Sequence, residues 1–325
     1  MKKVKSIDSL MAYMRNTHNI KIKGSSQKVK LRNLGYYHGY KGYRFIGNPS
    51  NKIPFTDFNE IISVSDFDMK LKSLFYSQIM FIETAVKNYV LEIVLDEGKN
   101  ESFNSIYTNL LTSYKAFPTG SKKYKDSFKT RLNLRNIIYR NLTRDYNKMV
   151  IKHFYHKDSS VPIWAIFEII TLGEFATFIS CLNSNIRSRI SLSLKLNQAC
   201  DSDGELSQNI IYTVKDLRNS IAHNGIIFDT RFRTASPSAD IVKCLEFDTK
   251  IKNINFGSIV DYVILVAYIL INLRVSKTEI NKFVSNFETV VESFRKQIPI
   301  SVFNKIIFTQ TKSKINELRK FIKNS

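Results

Sequence analysis

The stretch Asp216-Leu217-Arg218-Asn219-Ser220-Ile221-Ala222-His223-Asn224-Gly225 closes a run of apolar residues that recur three and four positions apart. That spacing is typical of one buried face of an α-helix. The run consists of Ile210, Ile211, Val214, Leu217 and Ile221. We therefore predict a helix that ends within the quoted stretch, with Gly225 as a natural residue to stop it.

Arg218 and His223 have the side chains that phosphodiester chemistry requires. Arginine can clamp two phosphate oxygens in a fork, and histidine can carry a proton at cellular pH. Five residues turn an ideal helix by roughly 500°, about 140° past full turns, so the two side chains would not align. They can reach one phosphate if the last helical turn loosens, or if a second copy of the helix faces the first.

The composition indicates a globular, mostly helical protein. Hydrophobic residues make up 43% and aromatic residues 12% of the 325 positions, which is enough for a sizeable core. Only 11 Gly and 6 Pro occur, and these are too few turn-forming residues for a many-stranded sandwich or barrel. We therefore predict the all-α class.

The charge is strongly unbalanced, since 49 Lys and Arg stand against 28 Asp and Glu, a net charge of +21 at neutral pH. Self-repulsion of this kind favours a polyanionic partner, and nucleic acid and an anionic membrane both fit. A lysine-rich bias from an AT-rich genome would produce part of the same excess. From the charge we predict nucleic acid as the partner and no membrane.

The cysteine usage and the start of the chain predict a cytoplasmic protein. The three cysteines are odd in number and lack CxxC spacing, as expected in a reducing compartment. Residues 1–6 lack the apolar core of a signal peptide. The most apolar stretch, residues 259–273, is short for a membrane span, so we expect a buried core helix there.

Two other helical regions bear on the site. Asp57 to Ile62 predicts a short helix, which a Ser-Val-Ser-Asp break separates from a long helix that continues to Asp96. A further helix is predicted from Trp164 to Leu182. Glu168 lies within its apolar pattern and needs a partner there, for which Arg218 is a candidate.

In the strongly basic stretch from Lys122 to Lys157, the cations from Arg140 to Lys152 recur every four residues, which would place them along one helix face, and Arg131 and Arg135 precede them. Few acidic residues accompany them, whereas a solvated helix usually mixes its charges. We therefore predict a track for RNA phosphates, although a solvated face remains the alternative. The predicted track consists of Arg131, Arg135, Arg140, Arg144, Lys148 and Lys152.

An aromatic block follows a basic N-terminal segment, and we predict residues 1–50 as an N-terminal lobe beside a helical domain over residues 51–325. Tyr36, Tyr37 and His38 open the block. Interleaved aromatic rings and cations can stack bases and hold phosphates, so these three residues are predicted to bind RNA. The same rings can equally cap the core of a helical domain.

Four stretches in order resemble the Abi (AbiD/AbiF-like) abortive-infection family. Arg218-Asn219 followed by His223 looks like the R-polar-x-x-x-H signature of HEPN ribonucleases. The other three resemble family blocks written YYR-x-x-GY, D…L…LF…IE…K and PpW-x-x-xE-xxs-fG. They are Leu31 to Tyr40 (with His38 where Arg is usual), Phe67 to Val94 and Val161 to Gly173.

The resemblance implies a HEPN-type helical bundle with an N-terminal lobe and additional C-terminal helices, acting as an endoribonuclease toxin in antiviral defence. In the family, two HEPN domains face one another and pool their motifs, which implies a homodimer. The helix of Glu83 would pack beside the active-site helix, where Glu83 would support Arg218. Past His223 the chain departs from the family pattern, because Asn224 to Asp229 replaces a further His or Arg and an LWN-like tail.

The predicted reaction is metal-independent cleavage of RNA, in which the 2′-hydroxyl attacks the adjacent phosphorus. His223 would act as general acid and base, and Arg218 would stabilise charge on the phosphoryl oxygens. Asn219 would hydrogen-bond the phosphate or hold the tautomer of His223. No cofactor or metal is expected, since the sequence has neither a phosphate-binding glycine loop nor an acidic two-metal cluster. His153 and His156 lack a third close ligand.

Two other interpretations remain. A non-catalytic RNA-binding protein would use the same cleft, and some HEPN relatives are inactive or are silenced by a small-RNA or protein antitoxin. Alternatively the stretch is purely structural, with Arg218 paired to Glu168 or a helix-terminal carbonyl and His223 as a helix cap. A DNA-binding regulator has only the charge in its favour.

Overall fold

A computed structural model describes residues 5–325 of the chain. In this part of the chain the backbone forms fifteen α-helices, and its only β-pairing consists of isolated bridges, so the all-α prediction is confirmed. The helices are α1 (Ile7–His18), α2 (Gly24–Leu34), α3 (Phe58–Gly98), α4 (Phe103–Asn109), α5 (Lys122–Arg144), α6 (Met149–His156), α7 (Ile163–Ile169), α8 (Leu172–Cys181), α9 (Ser184–Ser193), α10 (Leu206–Ala222), α11 (Ala239–Thr249), α12 (Ile259–Asn272), α13 (Lys277–Arg295), α14 (Ile300–Ile306) and α15 (Thr311–Asn324).

Three shorter helical segments connect these elements. A π-helical segment, Gly35–Lys41, follows α2 directly, and 3-10 helices occupy Ser113–Ala116 and Gln198–Cys200. The first four residues of the predicted N-terminal lobe, together with most of the segment judged for a signal peptide, lie outside the described residues.

The long helix α3 runs without interruption for 41 residues, so the predicted break after Ile62 is wrong. Val64 is fully buried and Ser65 is 8% exposed, which means that the Ser-Val-Ser-Asp segment continues the buried face. Packing of that face outweighs the modest helix propensity of two serines. The helix begins where predicted, because the Asp57 side chain accepts a hydrogen bond from Asn59 N at 2.8 Å.

The predicted helix from Trp164 to Leu182 is two helices, α7 and α8, separated at Ile170. Thr171 begins α8 with a capping box, in which its hydroxyl accepts from Glu174 N and the Glu174 carboxylate accepts from Thr171 N. This reciprocal cap satisfies two backbone donors and favours a new helix start over continuation. The Thr-x-x-Glu spacing is present in the sequence, so this helix start could have been predicted.

Most helices bury one face in a common hydrophobic core. The helix α10 packs against α8 and α3, and α3 also packs against α9 and α13. The apolar helix α12 is buried along nearly its whole length, which confirms the core helix predicted there. Within residues 5–325, no helix combines the length and the apolarity that a membrane crossing requires.

A fully buried carboxylate, that of Asp68 on α3, joins three parts of the chain. One of its oxygens accepts hydrogen bonds from the backbone nitrogens of Ile227 and Phe228, each at 2.8 Å. The other accepts from the Tyr43 hydroxyl at 3.1 Å and lies 2.8 Å from the Lys72 ammonium. The turn after α10 and the N-terminal aromatic segment are thereby fixed to α3.

A second contact ties the same two segments together. The Asp229 carboxylate accepts from Gly47 N at 2.8 Å and forms an ion pair with Arg231. Arg231 donates to Gly42 O at 2.7 Å and lies over the Phe45 ring at 4.1 Å. The division of the chain at residue 50 stays a prediction; what the structure adds is that residues 42–47 pack on the chain that follows α10.

Replacing Asp68 tests the importance of this junction. We expect Asp68→Ala to lower the free energy of unfolding by about 3–5 kcal/mol, because it leaves the buried Lys72 ammonium without its carboxylate. Urea denaturation measures the loss. Asp66→Ala, at an exposed position on the same helix, is the matched control and should change stability by less than about 0.5 kcal/mol. Similar losses in the two variants would contradict the assignment.

Candidate active site

The end of α10 remains regularly helical up to the motif histidine. His223 N still donates to Asn219 O at 3.0 Å, and the residue departs from helical geometry only at its own position, with φ −100° and ψ 15°. The loosening that would bring Arg218 and His223 together within one chain is therefore not observed. The rotation of about 140° between them is retained.

Asn224 ends the helix in the left-handed conformation, with φ 53°. Its side-chain oxygen accepts from the Lys72 ammonium at 2.9 Å, which holds the turn against α3. Gly225 follows the left-handed residue, and close packing against Ser220 favours a glycine there. A Cβ at this position would overlap the Ser220 hydroxyl, because Gly225 N approaches to 2.7 Å of Ser220 O.

Glu83 on α3 holds the Arg218 guanidinium. Its carboxylate accepts from Arg218 Nε at 3.1 Å, and it also lies 3.3 Å from the Lys87 ammonium. Lys87 donates in addition to Ile170 O, at the junction of α7 and α8. The Glu83 side chain is 12% exposed whereas that of Arg218 is 29% exposed, so the buried acid orients a cation that still reaches solvent.

The two other motif residues, Asn219 and His223, are exposed. The Asn219 side-chain oxygen lies 3.5 Å from an Arg218 terminal nitrogen, at the outer limit of a hydrogen bond. Glu168 does not join the group, because it is exposed on α7 and the acid in contact with Arg218 is Glu83. Glu168 was expected to be buried and therefore to need a partner. Because it is exposed, that expectation is wrong.

The predicted phosphate track does not lie along one helix. Arg140 and Arg144 are on α5, which ends at Arg144, and Lys148 precedes α6, which carries Lys152. Asp145 stands at the turn and pairs with Arg144 at 2.6 Å and with Lys148 at 3.4 Å. The hydrogen bond from Arg144 is the main cause that lowers the pKa of the Asp145 carboxyl. Two of the four cations are thus partly neutralised.

The earlier members of the track differ in exposure. Arg131 is buried, donates to Tyr107 O at 2.8 Å and lies 3.8 Å from the centre of the Tyr107 ring. It packs inside the protein rather than facing solvent. Arg135 is exposed on α5, 5.2 Å from the same ring. Of these two arginines of α5, only Arg135 is therefore exposed enough to contact RNA phosphates.

The aromatic residues predicted to bind RNA, Tyr36, Tyr37 and His38, lie in the π-helical segment, and they too differ in exposure. Tyr36 is 8% exposed and packs edge-on against Tyr37, which is 76% exposed. His38 is exposed, with its ring edge toward Tyr43 at 6.2 Å. Tyr37 and His38 can therefore contact a ligand in this conformation, whereas Tyr36 serves mainly in packing.

No group of three or more His, Cys, Asp or Glu side chains gathers as a metal site would, as far as residues 5–325 are concerned. His156 lies 3.4 Å from the Tyr146 hydroxyl. Sequence reasoning missed Asp68 and Lys72 as residues that support the site. Their spacing of four on a helix, with the acid in an apolar run, was a signal that could have been found.

The fold and the site define an all-α protein in which α3 orients an arginine at the end of a motif helix, beside an exposed asparagine and histidine. A sequence model of the Abi-like protein family matches residues 29–229, which is more than half of the chain. The chain belongs to the Abi-like protein family, which confirms the resemblance and supports a role in abortive infection. No curated protein and no solved structure matches it.

The close approach at Gly225 predicts a loss of stability on substitution. We expect Gly225→Ala to lower the free energy of unfolding by about 1 kcal/mol, because its Cβ forces the Ser220 hydroxyl to rotate away and lies 3.3 Å from the Ser220 carbonyl oxygen. Adding Ser220→Ala removes that hydroxyl and should recover part of the loss, as measured by urea denaturation. A Gly225→Ala protein as stable as the parent would show that the turn has room for a side chain.

Proposed function

We propose that this protein is a metal-independent endoribonuclease that acts in abortive infection, with Arg218, Asn219 and His223 as its catalytic residues. The observation that carries the proposal is the 3.1 Å contact between Glu83 and Arg218 Nε. Because the Glu83 carboxylate contacts Nε, the two terminal nitrogens of the Arg218 guanidinium remain available for a phosphate. Asn219 and His223 are exposed beside it.

The chemistry follows from these side chains. His223 removes the proton of the 2′-hydroxyl or delivers one to the departing 5′-oxygen, and such a role is typically worth about a hundred- to ten-thousand-fold in rate. Arg218 stabilises the charge that develops on the phosphoryl oxygens. The products are a 2′,3′-cyclic phosphate and a 5′-hydroxyl, and DNA is not cleaved because it lacks the 2′-hydroxyl.

Two subunits complete the proposed site. The last turn of α10 is regular, and ideal helical geometry would place Arg218 and His223 of one chain about 140° apart around the helix. A second copy facing the first across a twofold axis brings the arginine of one subunit to the histidine of the other. The proposed enzyme is therefore a homodimer whose cleft combines two copies of the motif.

The same regular helix end favours one alternative. In a monomer, Arg218 and His223 would face different sides of the helix end, and the exposed cations Arg135 and Arg140 would make the protein an RNA-binding protein without cleavage. A small-RNA or protein antitoxin is a partner compatible with either function.

Purified protein and a short single-stranded RNA test the nuclease. We expect Arg218→Ala and His223→Ala each to lower kcat/KM by about 10²- to 10⁴-fold, because each removes a group that acts only in the transition state. Cleavage should persist in EDTA and should stop when the RNA is replaced by its 2′-deoxy analogue. Mass spectrometry of the fragments identifies the cyclic phosphate.

Two control variants accompany this measurement. His153→Ala removes an exposed histidine of α6, and Arg295→Ala removes an exposed arginine of α13; both should leave cleavage unchanged. RNA that binds to the parent protein without being cut would establish the binding function instead. Cleavage that EDTA abolishes would rule out the metal-independent mechanism.

Mixed dimers test the shared cleft. Arg218→Ala and His223→Ala protein should each cleave poorly alone, but a co-expressed mixture contains dimers in which an intact arginine faces an intact histidine. Cleavage should therefore reappear well above that of either variant, and it should fall on dilution as dimers dissociate. A mixture no more active than its components would mean that each subunit acts by itself.

A further inference from the structure

A second group of cations and rings surrounds His18, at the C-terminal end of α1. The His18 ring is partly buried between two tyrosines, 5.0 Å from Tyr13 and 5.4 Å from Tyr40, measured between ring centres. Tyr40 in turn lies 5.4 Å from Tyr36, on the π-helical segment. The three rings and the imidazole form a continuous aromatic patch that is separate from the end of α10.

Three cations lie over tyrosine rings of this region, and within residues 5–325 none of the three forms an ion pair with a carboxylate. Lys5 Nζ is 3.3 Å from the centre of the Tyr13 ring, and Lys41 Nζ is 4.9 Å from that of Tyr37. The Arg44 guanidinium is 6.0 Å from the Tyr40 ring. An aromatic face orients a cation without neutralising it, so the positive charge at this patch is preserved.

The protonation of His18 reflects that charge. Burial lowers the pKa of the His18 imidazole, and Arg44, Lys52, Lys41 and Lys5 lower it further, in that order. All the charged groups that act most strongly on His18 are thus cations. A bound anion would offset their mutual repulsion.

The π-helical backbone gives the patch its shape. Gly39 lies in this segment, and a Cβ there would overlap the side chain of Leu34, so the backbone can close the wide turn only at a glycine. The turn places Tyr36, Tyr37 and Lys41 around the aromatic patch. π-Helical turns of this kind are found frequently at functional sites.

We propose that the His18 cluster, consisting of Lys5, His18, Lys41 and Arg44, binds the phosphate of a nucleotide whose base stacks on the exposed ring of Tyr37. Arg44 supplies a planar fork for two phosphate oxygens, and the lysines supply point charges. The Tyr37 ring is 76% exposed, and the face opposite Lys41 Nζ is the one on which a purine or pyrimidine would stack. Binding here does not depend on cleavage at α10.

One ligand chemistry, a nucleotide phosphate, has two sources: a free mononucleotide or a unit of a single-stranded RNA. Both are tested on full-length His223→Ala protein, so that no cleavage interferes and failure of the proposed nuclease leaves the result unaffected. The probes are inorganic phosphate, adenosine 5′-monophosphate, adenosine and a short single-stranded RNA. The readout is the NMR titration of labelled histidine side chains.

We expect adenosine 5′-monophosphate to raise the pKa of His18, because a nearby phosphate dianion stabilises the imidazolium. Adenosine, which lacks the phosphate, should leave it unchanged, and the imidazole of His153 on α6 is the internal control. A response to RNA alone would assign the site to the polymer, and a response to the mononucleotide would assign it to a free nucleotide. A His18 pKa that no phosphate-bearing probe moves would overturn the proposal.

Three variants, checked for folding by circular dichroism, separate the contributions. Arg44→Gln should weaken binding of the responding probe by about tenfold or more, because it removes a charged hydrogen-bonding partner. Tyr37→Ala should weaken nucleotide binding by about 5- to 100-fold with little effect on inorganic phosphate. Lys123→Gln removes an exposed lysine that lies over Phe117 at 5.9 Å and is the matched control. Unchanged affinity in Arg44→Gln would contradict the site.

Discussion

The Asp68 carboxylate is the interaction on which the motif region depends. It is fully buried, and its two oxygens receive the backbone of residues 227 and 228, the Tyr43 hydroxyl and the Lys72 ammonium. A buried charge is tolerated only where partners replace the water it has lost, so these partners are held in one arrangement. Lys72 extends the same junction to Asn224, the left-handed residue that follows α10.

The long helix α3 contacts the end of α10 at two positions. Glu83 meets Arg218, whereas the earlier Lys72 meets the later Asn224, so the two helices run in opposite directions there. The region that matches the Abi-like family, residues 29–229, ends at Asp229, whose carboxylate accepts a hydrogen bond from Gly47 N. Its N-terminal and C-terminal parts therefore contact each other, and the packing on α3 that positions the proposed catalytic groups lies within the matched region.

Much of the fold was predictable from periodicity, because a buried helical face repeats every three to four residues in the sequence itself. The all-α class followed instead from the scarcity of Gly and Pro, and Asp57, where a helix was predicted to begin, is the N-cap of α3. The predicted break in α3 was wrong because Val64 and Ser65 are buried in the folded protein, and a serine-rich segment does not reveal that burial. The split at Ile170 was missed, although the cap at Thr171 is a local signal.

From the sequence alone one could predict which residues lie at the end of α10, and that Glu83 and Lys87, four residues apart, share one helix face. Only the tertiary structure decided which acid contacts Arg218, since Glu83 and Glu168 were both candidates and their exposure depends on packing between helices distant in sequence. It likewise decided that Arg131 is interior while Arg135 faces solvent. Burial is a property of the assembled helices, because it depends on what covers a side chain and not on the chain around it.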